Sequence, residues 1–169
     1  MTATYAPQFK PTSSASALLP RQPNPRQRIL VVDDDVMIRR LNTEVLTCHG
    51  YQVDAAEDGD IAWDAIQENN YDLLVTDQNM PKVTGVGLLK KLHAARLALP
   101  VILATGTFPH EELAAHPWLQ IDAALLKPYT YDQLLTTVKN VLYASAGDAE
   151  EFAAPPNWSG GRAANHLRF

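Results

Sequence analysis

Five short apolar runs, each followed by a stretch with helical periodicity, predict an α/β protein built on a doubly wound, five-stranded parallel sheet with helices on both faces. Two further observations support that class. The apolar runs are β-branched and nearly continuous, as strands buried on both faces should be. Capping residues, glycines and prolines stand at the expected junctions between them.

Arg28-Ile-Leu-Val-Val-Asp33 reads as the first strand. Asp35 can cap a helix whose apolar positions Ile38, Leu41, Val45 and Cys48 recur every three or four residues, with Gly50 as its stop and Cys48 in the core. Tyr51 to Ala55 is the second strand, and Asp58-Gly-Asp60 opens a helix through Ile61, Ala65 and Ile66, with Trp63 as a packing residue. Asp72-Leu-Leu-Val-Thr76 is the third strand, and Gly85 to Ala95 a helix with Leu88, Leu89 and Leu92 inward. Pro100-Val-Ile-Leu-Ala104 is the fourth. Pro109 suits the start of the next helix, since the N–H it lacks would be unpaired there, and that helix must stop near Pro117. Ile121 to Leu126 is the fifth strand. Thr130 to Tyr143 is the last helix, with Leu134, Leu135, Val138, Val141 and Leu142 inward.

The chain has 169 residues, a length suited to one domain. With 46% hydrophobic and 20% charged residues it can bury a real core. No apolar run approaches the ~18 residues that would span a bilayer, so membrane insertion is not expected. The single cysteine excludes an internal disulfide. A pI of 5.4 and net charge of −5 speak against direct DNA binding.

Residues 1–27 hold five prolines, three basic residues and no acid, too little apolar sequence for a signal peptide, and read as a disordered N-terminal tail. Residues 147–169, with Pro155-Pro156 and Gly160-Gly161, read as a disordered C-terminal tail. The tails carry +3 and −1, which leaves −7 on residues 28–146, the expected folded domain. The five histidines show no metal-ligand spacing.

In an open parallel sheet, ligands bind beyond the carboxyl ends of the strands. There the first strand ends in Asp33-Asp34-Asp35, the third in Asp77, the fourth in Thr105-Gly106 and the fifth in Lys127-Pro128. If the first and third strands are neighbours, Asp33, Asp34 and Asp77 converge in one pocket and need a compensating cation. A hard, all-oxygen set with open positions suits Mg²⁺. Mg²⁺, Lys127 and Thr105 around one carboxylate form a binding set for a phosphoryl group on that carboxylate. Singly, each of these residues is an ordinary cap, turn or surface residue. Their joint occurrence at four strand ends is what points to chemistry.

Ile29-Leu-Val-Val-Asp-Asp34, Leu73-Leu-Val-Thr-Asp77-Gln-Asn-Met-Pro81 with Gly85, Leu103-Ala-Thr105-Gly106 and Leu126-Lys127-Pro128 together resemble the receiver domain of two-component response regulators, over about residues 28–146. The resemblance implies a flavodoxin-like sheet of strand order 2-1-3-4-5. It implies Asp77 as phospho-acceptor, and Mg²⁺ held by Asp33, Asp34, Asp77 and the Asn79 backbone carbonyl. Thr105 would turn toward the phosphoryl group, Lys127 would pair with it, and Lys127-Pro128 would be cis. The implied partner is a sensor histidine kinase or a histidine phosphotransfer protein, the implied location cytoplasmic.

Three departures stand out. The family's usual aromatic residue three before the lysine is here Ala124, and Val83-Thr84 replaces a commoner Met-Asp. No output domain follows residue 146, so the expectation is a stand-alone receiver, similar to the chemotaxis type, acting on an unidentified protein or passing the phosphoryl group on. By analogy, Trp118, Tyr129 and Tyr131 would mark its partner face. Two alternatives compete. Ala124 is the one feature favouring a degenerate receiver that binds partners without phosphorylation. Asp33-x-Asp35 loosely fits a haloacid-dehalogenase-like phosphatase, but position 37 is Met where a Thr should stand, and no cap insertion is present.

Overall fold

A computed structural model describes residues 27–145. The expectations for the two tails lie outside the described residues. Strands and helices alternate as β1 (Arg28–Val32), α1 (Val36–Cys48), β2 (Gln52–Ala56), α2 (Gly59–Glu68), β3 (Leu73–Asp77), α3 (Gly85–Ala94), β4 (Val101–Thr105), α4 (His110–Ala115), β5 (Ala123–Leu126) and α5 (Tyr131–Ser145). The sheet is parallel throughout, in the order β2-β1-β3-β4-β5. That is the doubly wound architecture read from the sequence.

Alternation along the strands divides the interior into two cores. Ile29 and Val31 of β1 face one side with Leu134, Val138 and Leu142 of α5 and Leu46 of α1. Leu30 and Val32 face the other with Ala62 and Ile66 of α2 and Leu88, Leu89 and Leu92 of α3. All five residues expected to point inward from α5 are buried. Each large aliphatic side chain so removed from water contributes roughly 1.5–3 kcal/mol.

Helix starts follow the capping residues. Asp35 accepts from the amides of Met37 and Ile38, Asp58 from those of Asp60 and Ile61, and Thr84 from that of Gly87. Gly50, just past α1, adopts the left-handed backbone with φ 89° that glycine tolerates freely.

Some local expectations need correction. The buried face of α1 runs through Asn42 and Leu46, while Leu41 and Cys48 are exposed; Cys48 is not a core residue. Ile61 of α2 is likewise exposed, and Ala62 takes the inward position. Trp63 packs partly buried against the second core, with the Lys91 ammonium 5.8 Å from its ring centre. β2 starts one residue after Tyr51, and β5 two residues after Ile121.

Candidate acceptor site

The site forms where β1, β3, β4 and β5 end on one edge of the sheet. Pairing of Val32 with Thr76 sets the ends of β1 and β3 side by side. Asp33 and Asp77 therefore emerge together, both buried. Lys127, one residue past β5, is held by its amide on the Thr105 carbonyl and reaches back across the strand ends. Its Nζ lies 2.8 Å from Asp33 Oδ2 and 2.8 Å from Asp77 Oδ1. The Lys127–Pro128 peptide is cis.

The other carboxylate oxygens are also held. Asp33 Oδ1 accepts from the Asp35 amide at 2.9 Å, and Asp77 Oδ2 from the Asn79 amide at 2.7 Å. Burial pushes the Asp33 carboxyl above the ordinary carboxylate range, against the pull of its bond to Lys127. Burial also works against the Lys127 charge, but its bonds to Asp33 and Asp77 and their charges outweigh it and hold its pKa above that of an ordinary lysine.

Thr105 is fully buried at the end of β4. Its hydroxyl faces its own loop, donating to the Thr107 carbonyl at 2.7 Å. Asp34 and Asn79 are exposed at the mouth. The structure thus brings Asp33, Asp77 and Lys127 into direct contact and sets Thr105, Asp34 and Asn79 around them. Among the described residues no three His, Cys, Asp or Glu side chains are gathered closely enough to hold a metal ion. Mg²⁺ does not demand that, because it binds through one or two carboxylates and retains waters. The donor set fits: Asp33, Asp34 and Asp77 outnumber the one ammonium, and every donor is a hard oxygen.

Three supporting groups escaped the sequence reading. Arg39, on the first turns of α1, donates to the Asp33 carbonyl at 2.6 Å and steadies the acidic loop. Lys82, with left-handed backbone (φ 63°), pairs with the Asp58 carboxylate and ties the β3–α3 loop to α2. That bond, ahead of two amide hydrogen bonds, holds the Asp58 carboxyl below its usual range. Gln78, next to Asp77, accepts from the Val86 amide and donates to Glu112 of α4. Only the Asp-x-x helix-opening pattern at Asp58 signalled any of these from sequence.

The expected aromatic partner face is not one patch. Tyr129 and Tyr131 line a groove of about 760 Å³ with Ile38, Leu41 and Asn42. Trp118 lines another, of about 310 Å³, against α3, its ring centre 4.3 Å from that of His93.

Residues 29–139 match the family described as the response regulator receiver domain. The chain belongs to that family. Receivers are phospho-accepting signalling modules of two-component systems rather than classical enzymes; they take the phosphoryl group from histidine kinases and bind Mg²⁺. Over 121 residues, 72% of this chain, the receiver is 36% identical to the sensor histidine kinase RcsC of Escherichia coli and 33% identical to the response regulator MprA of a Mycobacterium species. The chain spans only 12% of the length of RcsC and 53% of that of MprA.

Among solved structures, a Francisella response-regulator receiver domain is 32% identical with a TM-score of 0.64, covering 72% of this chain and 99% of that one. TrrA of Thermotoga maritima, in complex with Mg²⁺-BeF, is 33% identical with a TM-score of 0.60, covering 68% and 98%. A CheY-like receiver of Methanospirillum hungatei reaches a TM-score of 0.68 at 28% identity, covering 73% and 98%. No described helix of this receiver is long and apolar enough to cross a membrane.

Proposed function

We propose that this chain accepts a phosphoryl group on Asp77 from the phosphohistidine of a kinase or phosphotransfer protein, and signals through the change in partner binding that follows. The observation carrying this reading is the Lys127 ammonium shared between the buried carboxylates of Asp33 and Asp77. An ammonium there neutralises charge growing on phosphoryl oxygens as transfer proceeds. A cytoplasmic setting is proposed with the donor.

Asp33, Asp34, Asp77 and the Asn79 carbonyl are the proposed holders of Mg²⁺, which when bound supplies positive charge to the phosphoryl oxygens. A carboxylate oxygen of Asp77 attacks phosphorus in line with the P–N bond of the donor. The O–P bond forms, the P–N bond breaks, and the imidazole nitrogen keeps the electron pair and takes up a proton. Lys127 then pairs with the new phosphoryl oxygens, and the Thr105 hydroxyl leaves the Thr107 carbonyl to reach them. Attack of water on phosphorus releases inorganic phosphate and restores the Asp77 carboxylate. The modification adds about −1.5 to −2 charge at one point.

The test is intact mass after incubation with a small acyl phosphate, with and without Mg²⁺, for the wild-type chain, Asp77→Asn and Lys127→Met. One phosphoryl adduct is expected in the wild type, absent without Mg²⁺ or in Asp77→Asn. Lys127→Met should form it at least tenfold more slowly, in the range of other lost charge-stabilising groups. No adduct in wild-type samples quenched at early times overturns the proposal and favours a module that binds partners without phosphorylation.

A further inference from the structure

Resting on the acceptor reading above, we infer that Gln78 and Glu112 form a latch that holds α4 in its unphosphorylated position. Gln78 is the chain neighbour of Asp77, is buried, and is bonded on every side. Its amide donates to the Ala104 carbonyl of β4 at 3.1 Å, and its carbonyl accepts from the Gly85 amide at 3.1 Å. Its Oε1 accepts from the Val86 amide at 3.0 Å. With its backbone and carbonyl oxygen fixed, Gln78 can offer Nε2 in one direction, and there it donates to Glu112 Oε2 at 3.2 Å.

At the other end of that bond, α4 is weakly held. The helix has six residues, none of them buried, and Pro109 at its start supplies no side-chain cap. Leu113 packs partly buried against the second core. Among the described residues, the bond from Gln78 is the side-chain hydrogen bond that ties α4 to another strand-and-loop element. The segment leading into α4 loses a tether when Thr105 turns to Asp77, because the Thr105 hydroxyl then gives up the Thr107 carbonyl. Any motion of that segment that carries α4 with it must stretch or break the bond from Gln78. The bond therefore weights the balance toward the resting arrangement by the strength of one hydrogen bond with an exposed acceptor. That corresponds to about a two- to fivefold shift.

Glu112 is exposed, so its variants should fold. Glu112→Ala removes the acceptor, while Glu112→Gln loses the same charge and keeps an acceptor oxygen for Gln78. The probe is beryllofluoride at fixed Mg²⁺, with its affinity read by ¹⁹F NMR. Glu112→Ala should bind about two- to fivefold more tightly than Glu112→Gln, which should match the wild type. Equal affinities, or weaker binding by Glu112→Ala, overturn the latch. Amide and indole spectra without any ligand give the second arm: Glu112→Ala should displace the resonances of α4 and the Trp118 indole, and Glu112→Gln should not. Unmoved resonances in Glu112→Ala also overturn it. A wild-type chain that takes neither beryllofluoride nor a phosphoryl adduct refutes the acceptor reading, and the ligand-free spectra then decide the tether by themselves.

Discussion

Adding one methyl group at Gly85 should damage both stability and phosphoryl acceptance, and the structure sets the size of each effect. Gly85 opens α3 directly beneath the end of β3, the strand that carries Asp77. A Cβ there would lie 2.5 Å from the Asp77 carbonyl oxygen, 2.8 Å from Leu103 Cδ1 and 3.1 Å from Gln78 Cα. An unstrained carbon–oxygen contact needs about 3.3 Å, so roughly 0.8 Å must be found. None of the three neighbours yields readily: two are backbone atoms at the site, and Leu103 is fully buried. Overpacking against such walls costs about 2–3 kcal/mol. Reduced freedom of the unfolded chain returns about 0.4–1 kcal/mol.

Gly85→Ala should therefore lose about 1–2 kcal/mol, or about 4–8 °C in Tm. Two internal controls accompany it. At Gly87 the added carbon meets only side-chain ends, Val83 Cγ1 at 3.2 Å and Thr84 Oγ1 at 3.3 Å, and at Gly106 it meets nothing within 4 Å. Both should match the wild type or gain up to about 1 kcal/mol, since the same reduction in unfolded-chain freedom meets little or no clash there. Urea unfolding followed by circular dichroism measures the series. Because the displaced atoms carry Asp77, phosphorylation of Gly85→Ala should also slow by about tenfold to a hundredfold. A Gly85→Ala protein as stable as Gly87→Ala would refute the steric reasoning.

Two further outcomes are expected. Tyr129→Phe removes the hydroxyl that accepts from Asn42 Nδ2 at 2.9 Å and strands a buried carboxamide, at a cost of about 1–2 kcal/mol by urea unfolding; Asn42→Ala in the Tyr129→Phe background should then add less than it does alone. Lys82→Met should change acid unfolding. The Asp58 carboxyl is lower in the folded than in the unfolded chain, so the stability it contributes is present above about pH 4 and lost as pH falls through its folded value. The stability gap between wild type and Lys82→Met should accordingly be widest at neutral pH and close below pH 4, and a gap unchanged with pH would contradict the pairing.

Element order, sheet direction and the strand-end residues were legible in the sequence because each rests on local signals: β-branched runs, Asp and Thr caps, and prolines at junctions. What escaped depends on partners far along the chain. The apolar spacing of α1 pointed to Ile38, Leu41, Val45 and Cys48, yet the helix is rotated so that Asn42 faces inward. A polar residue is tolerated there because the Tyr129 hydroxyl, 87 positions later, accepts its hydrogen bond. Leu41 turns out into the groove with Tyr131. At the site, Asp33, Asp77, Thr105 and Lys127 could be read as strand ends. Arg39, Gln78 and Glu112 look like ordinary helix and loop residues until the fold sets them against backbone carbonyls and one another.

The two cores have a consequence for how the domain comes apart. They share only the thickness of one sheet, so the molecule is a laminate: α1 and α5 on one side, α2 and α3 on the other, glued to a common ply. Damage to the α5 layer removes Leu134, Val138 and Leu142 from Ile29 and Val31 but leaves Leu30 and Val32 covered. Local opening of the α5 layer would therefore bare one face of the sheet while the other stays covered. Asp33 and Asp77 sit on the rim of that ply and are fixed by β1 and β3. A partly opened molecule would keep those two carboxylates side by side, with Lys127 still tied by its amide to the Thr105 carbonyl at the end of β4.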